Sequence, residues 1–204
     1  MRDRPIDANM PEAAEPKSLL RRRALARRAS LDPQTRASLT ARLAEEGVAC
    51  ARQWRARVVA AFFPIGDEPD ALALLAALGA AGFATAMPVT APAGAPLTFR
   101  RWSVGDPTVV GAHDIPEPLA EAEAVDPDLL FVPLAAFDRR GHRIGYGAGF
   151  YDRTLRRLRA ARPIRAVGVA YSVCEIAAVP DEAYDEPLDF ILTEREWIAA
   201  RSFS

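Results

Sequence analysis

The sequence predicts an α/β fold: a single domain with a central, mostly parallel sheet flanked by helices on both faces. Three observations lead there. Short runs rich in β-forming residues alternate with helical stretches, the pattern of a sheet built with crossover helices. The first of these runs, Arg57 to Ile65 (RVVAAFFPI), is continuously apolar, as a strand buried on both faces must be. Finally, the chain has 204 residues, half of them apolar, enough for one core with a sheet covered on both sides.

The elements follow in order. Residues 1–16 (MRDRPIDANMPEAAEP) have no apolar h-region and carry three prolines, and read as a disordered tail; the domain is expected over 17–204. Lys17 to Ala29 has helical composition and a dense basic face. Asp32 then offers an N-cap and Pro33 an N1 residue for a second helix, from Pro33 to about Cys50. After the Arg57–Ile65 strand, Ala71 to Ala81 is the next helix, closed by Gly82. Phe83 to Val89 reads as a strand, Ala91 to Pro96 as a turn, and the alternating Leu97 to Trp102 as an edge strand. Val104 to Pro127, full of Pro, Gly and Asp, is expected to be a long loop with little regular structure. Leu129 to Phe137 is a strand that Pro133 should interrupt. Phe150 to Ala160 is a helix, Ile164 to Ala170 a strand and Leu188 to Leu192 the last one.

Composition narrows the function classes. The formal net charge is -1, so no global field favours nucleic acid or a membrane surface. The basic stretch at Lys17–Ala29 lacks interleaved aromatics, which argues further against a nucleic-acid site. Cys50 and Cys174 are far apart and His113 and His142 isolated, which speaks against a disulfide or zinc site. No apolar run approaches the roughly 18 residues of a membrane span, and the cytoplasm is the default address. Nothing points to an obligate protein partner.

Chemistry concentrates in GHRIGYGAGFYD. Gly145, Gly147 and Gly149 alternate between a strand and a helix, so Cβ atoms are missing where successive N–H groups could face one concavity. The helix that follows adds positive partial charge, and Arg143 could supply a mobile cation to the same phosphates. The spacing is neither a Walker A motif nor GxGxxG, and by itself also suits a plain turn. Asp152, in the first turn of the helix, reads equally as a carboxylate favoured by the helix dipole or as a ligand to nucleotide-bound magnesium. Lys17 carries a separate signal. It is the only lysine among 26 basic residues, so a compact ammonium rather than a planar guanidinium is expected to matter there.

The segment Val132 to Leu155 (VPLAAFDRRGHRIGYGAGFYDRTL) resembles the signature of the 5-formyltetrahydrofolate cyclo-ligase family, roughly Phe-Asp-x-x-Gly-x-Arg-Leu-Gly-x-Gly-x-Gly-x-Tyr-Asp, with Ile144 in place of Leu. Lys17 with Arg21, Phe62-Phe63-Pro64 with Glu68, Pro96 to Trp102, Glu117-Pro118, Val179-Pro180, Asp185, Leu188, Asp189 and Thr193-Glu194 extend the match in the right order. The resemblance implies an ATP-dependent conversion of 5-formyltetrahydrofolate to 5,10-methenyltetrahydrofolate, with ADP and phosphate released. It implies that Lys17, Arg21 and the run Arg143, Gly145, Tyr146, Gly147, Ala148, Gly149, Phe150 and Tyr151 bind ATP. Phe63, Glu68 and the segment from Tyr146 to Phe150 would touch the folate; Lys17, Arg143 and Glu68 would serve catalysis; Asp152 and Asp189 would hold Mg²⁺. Cys174 stands where the family leads one to expect glutamine, and Tyr184 where histidine often precedes Asp185. Two alternatives remain: a related ATP-dependent enzyme acting on another small substrate, and a non-catalytic nucleotide- or folate-binding regulatory module. Phe63 and Glu68 speak against the first; Lys17, Asp152 and Asp189, all retained, speak against the second.

Overall fold

The structure is a computed structural model that describes residues 15–200. The anticipated disordered tail therefore falls almost wholly outside the described residues. Four α-helices are described: α1 (Lys17–Ala29), α2 (Pro33–Gln53), α3 (Ala71–Ala80) and α4 (Phe150–Ala161). The strands of the main sheet are β1 (Val58–Ala60), β2 (Ala84–Val89), β3 (Thr98–Arg101), β6 (Leu129–Pro133), β9 (Arg165–Val169), β10 (Phe190–Leu192) and β11 (Trp197–Ala199). Two small ribbons pair β4 (Thr108–Val110) with β5 (Pro116–Pro118), and β7 (Ala136–Phe137) with β8 (Arg143–Ile144).

The seven strands lie in the order β11-β10-β9-β6-β1-β2-β3. The inner five run parallel, and the edge strands β11 and β3 are antiparallel to their neighbours. Side chains alternate across the sheet as the strand period requires. Val59, Leu129, Phe131 and Val167 pack against α2 and α3 through Leu43, Leu74 and Leu78. Ala60, Leu130, Val132 and Ala166 pack on the other face against Leu155 and Leu158 of α4. Both faces are thus covered, as continuous apolar strands demand.

Local signals account for most boundaries. Asp32 accepts the Thr35 N–H at 2.9 Å, and Pro33 opens α2. Asp70 caps α3 through the N–H groups of Leu72 and Ala73. Gly82 follows the end of α3 at φ 86°.

Four expectations are corrected. The first strand is shorter than Arg57–Ile65, because after Ala60 the chain leaves the sheet to bring Phe62, Phe63 and Glu68 to a cavity. The Val104–Pro127 loop contains the β4–β5 ribbon, anchored where the Glu117 carboxylate accepts the Thr90 N–H at 2.9 Å. The strand expected over Leu129–Phe137 ends at Pro133, the last residue of β6, opposite Val169, and Ala136–Phe137 pair with β8 instead. The last strand anticipated, Leu188–Leu192, is followed by an unanticipated β11, a three-residue edge strand too short to show a period.

Candidate active site

At the carboxyl ends of β1, β2 and β6 lies a cavity of about 680 Å³, in the crevice where open parallel sheets place their ligands. One wall is α1, with Lys17 and Arg21. Another is the loop from Gly145 to Gly149 with the start of α4. A third carries Phe62, Phe63 and Glu68, and the floor includes Pro133 and Leu97.

The glycine loop connects β8 to α4. Gly147 has φ 103° and Gly149 φ 65°, values that a side chain at either position would strain. Gly145 has neither a positive φ nor a close neighbour, so its glycine is not required by the backbone. Three arginines hold the loop. Arg21 Nε donates to Gly145 O at 2.6 Å, Arg153 donates to Ala148 O at 2.6 Å, and both Nη atoms of Arg28 lie 3.2 Å from the Tyr146 hydroxyl. The helix N-termini divide into two kinds. α2 and α3 are capped by aspartates, whereas α1 and α4, which begin at the cavity, have no side-chain cap. Uncapped N–H groups and the positive end of a helix dipole make such a terminus an anion site.

Lys17 reaches this cavity with its ammonium 2.8 Å from Asp185 and 3.2 Å from Glu182. Desolvation lowers its pKa, but the hydrogen bonds to Asp185 and Glu182 outweigh it and leave the group above its ordinary value. Arg143 lines the cavity without being the mobile cation the sequence suggested. Its side chain is 5% exposed and donates to Glu186 O at 2.5 Å and to Asp152 at 2.7 Å. Burial pulls its pKa down, with Asp152 opposing. Asp152 stands in the first turn of α4 as anticipated, also accepting the Glu186 N–H at 3.1 Å.

Glu68 is buried, with one carboxylate oxygen accepting the Ile65 N–H at 2.9 Å and the other accepting the Tyr146 hydroxyl. Burial pushes its pKa up; the Tyr146 and Ile65 hydrogen bonds and the charge of Arg28 pull the other way without cancelling it. Phe63 meets Trp102 edge-on at 5.1 Å, and Phe62, Phe150 and the half-exposed Tyr146 add further aromatic surface to the cavity. Burial also raises the pKa of Tyr151, which keeps its phenol neutral.

Asp189 is the one anticipated site residue outside this cavity. It precedes β10, at the amino ends of the parallel strands, where its carboxylate accepts the Ala166 N–H at 2.8 Å and pairs with Arg159 at 3.2 Å. Asp152 lines the cavity and faces Arg143, whereas Asp189 lies outside that lining and faces Arg159 and Arg165, so the two carboxylates take different partners. Among the described residues no cluster of three His, Cys, Asp or Glu is arranged to hold a metal. Asp152 alone does suit nucleotide-bound magnesium, which commonly takes one or two carboxylates and completes its shell with phosphates and water.

Sequence reasoning missed several residues. Nothing in the sequence singles out Arg28 within the basic stretch Lys17–Ala29, yet Lys17, Arg21, Ala24 and Arg28 share one helical face, and Ala24 and Arg28 are buried. Glu117 entered only as a motif match and proves to be a buried wall residue. Glu182 and Asp185 meet Lys17 from more than 160 residues away, a pairing that no local spacing encodes. Of the two departures, Tyr184 lines the cavity and donates to Glu182, whereas Cys174 is buried away from it.

Comparison with known proteins bears on the same residues. The model of the 5-formyltetrahydrofolate cyclo-ligase family matches residues 13–194. The chain belongs to this family. A 5-formyltetrahydrofolate cyclo-ligase of Mycolicibacterium smegmatis is 35% identical over 151 residues, 71% of this chain and 77% of the relative. One of Escherichia coli is 34% identical over 143 residues, 68% and 78% of the two chains. The solved structure of a 5,10-methenyltetrahydrofolate synthetase of Aquifex aeolicus superposes with a TM-score of 0.72 at 31% identity, covering 92% of this chain and 94% of that one. That of a Mycoplasma pneumoniae synthetase, at 22% identity and a TM-score of 0.67, shares the fold. The mostly parallel sheet anticipated from the sequence is thus the cyclo-ligase fold, and the glycine-rich signature lies inside the matched region.

Proposed function

We propose that this cyclo-ligase joins ATP and 5-formyltetrahydrofolate in the cavity described above and releases 5,10-methenyltetrahydrofolate, ADP and phosphate. The observation that carries this reading is the meeting of two chemistries in one hollow. Lys17, Arg21 and the uncapped starts of α1 and α4 form a side rich in cations and free N–H donors, as phosphates require, and Phe62, Phe63 and Glu68 form an apolar side with one buried carboxylate.

The N5-formyl group is amide-like and a poor electrophile. In the proposed reaction its oxygen takes the γ-phosphoryl group and ADP leaves. N10 then attacks the activated formyl carbon, the carbon–oxygen bond breaks, phosphate departs and N10 loses its proton. Such a transfer depends mainly on positioning and on stabilising charge. Lys17 and the loop N–H groups would hold the phosphates. Bound magnesium, with Asp152 as its protein ligand, would neutralise charge on the transferring group. Phe63 and Phe150 would wall the flat pterin, and Glu68 would accept its N–H groups.

The test mixes purified protein, MgATP and 5-formyltetrahydrofolate and follows the methenyl product by absorbance. Product is expected only when both ATP and a divalent metal are present. Equal turnover without ATP would sink the assignment.

A further inference from the structure

Arg28 is a buried cation with an unusual set of partners. It is 5% exposed, its Nε has no hydrogen-bond partner, and both Nη atoms point at one phenol oxygen, that of Tyr146, at 3.2 Å. That hydroxyl donates onward to Glu68. The guanidinium thus faces a carboxylate across a single neutral oxygen. The chain of groups links three separate pieces of the site: α1, which carries Lys17 and Arg21; the glycine loop; and the segment after β1. Burying a charge is costly unless it is compensated, so an arginine held in this way needs a reason.

We propose that Arg28 is a positioning residue of the site: acting through the Tyr146 hydroxyl, it holds the glycine loop against Glu68 and keeps that carboxylate ready to accept the N–H groups of a pterin. The proposal rests on the folate role given to Glu68 above. Two oxygens fixed by Ile65 N–H and Tyr146 O–H leave the remaining lone pairs aimed in set directions, which suits bidentate recognition of adjacent N–H donors. Burial favours the protonated acid, which cannot serve as such an acceptor on both oxygens; the charge of Arg28 opposes burial. The titratable groups coupled to Glu68 are Arg28 from α1, Tyr146 from the loop and Tyr151 from the start of α4, and of these only Arg28 is a cation.

Arg28→Met removes the charge while keeping an unbranched chain in the same space. The Glu68 carboxyl is followed by ¹³C NMR in the protein without ligands, and the pH profile of kcat/KM for 5-formyltetrahydrofolate is measured alongside. In Arg28→Met both the Glu68 titration and the acid limb of the profile should move to higher pH by about one unit, the effect of losing an opposite charge at this range. Tyr146→Phe should move them the same way, and the double variant no further than the larger single change, since the arginine acts through the phenol. Arg28→Gln keeps a donor without the charge and replaces the Met variant if that one does not fold. A Glu68 titration unmoved in a folded Arg28 variant, or an equal loss of activity at every pH, overturns the proposal. Wild-type protein that forms no methenyl product while the titration shifts as expected would instead overturn the functional reading and leave the Arg28–Glu68 linkage standing.

Discussion

Replacing Asp152 by Asn removes one charge from the cavity while keeping the shape of the side chain. The structure assigns that charge two tasks. Asp152 faces the 5%-exposed guanidinium of Arg143 at 2.7 Å, and it lines the cavity beside the glycine loop. The stability effect comes from the first task. Asn still offers an oxygen to Arg143 and to the Glu186 N–H, and Arg143 keeps its bond to Glu186 O, so no donor is stranded. What is lost is the difference between a charge-assisted and a neutral hydrogen bond, together with the counter-charge of a buried cation, about 1–2 kcal/mol. For a domain of this size the melting temperature should fall by about 2–8 °C. If the carboxylate also holds magnesium, turnover should fall at least about tenfold, equivalent to about 1.4 kcal/mol of barrier, and the metal concentration for half-maximal activity should rise. Thermal melts without ligand and a magnesium titration of initial rates separate the two tasks. A lower melting temperature with unchanged metal dependence would leave Asp152 as the partner of Arg143 alone. No change in either would refute both parts of the reasoning.

Three further outcomes are expected. Lys17→Arg should lower kcat despite keeping the charge and Lys17→Ala should lower it more, while ligand-free melting barely moves, because partly exposed pairs such as those with Asp185 and Glu182 contribute at most about 1 kcal/mol; wild-type kinetics in the arginine variant would reduce the lone lysine to an accident of composition. Gly147→Val forces a β-branched residue to φ 103° beside Arg21 and should abolish ATP binding in calorimetry while the far-ultraviolet circular dichroism stays native; wild-type nucleotide affinity would show the loop to be only a turn. Asp138→Ala should destabilise the fold by about 3 kcal/mol in urea melts, because this 1%-exposed carboxylate accepts the backbone N–H groups of Arg140 and Val179 as well as the Arg140 side chain; a loss below about 1 kcal/mol would mean that water replaces it at little cost.

Much of this protein is written locally. The alternation of apolar runs with helices determines the layer architecture, because a continuously apolar strand has to be covered on both faces and helices do the covering. Asp32-Pro33, Asp70 and Gly82 mark helix ends through groups only a few residues away. The glycines between β8 and α4 mark the loop for the same reason: positive φ is a property of single residues. The lone lysine stands out from composition before any fold is known. Other features came into being only when distant segments met. Arg143 is held rather than mobile because Glu186 and Asp152 enclose it. Asp189 faces Arg159 outside the cavity that Asp152 lines, a placement that a list of motif residues does not contain. Arg28 looks like any other arginine of RRRALARRA until α1 is laid against the glycine loop. Ionic and hydrogen-bonded partners are chosen by position in space, and the parallel sheet, whose neighbouring strands are joined through long crossovers, brings them together from opposite ends of the chain.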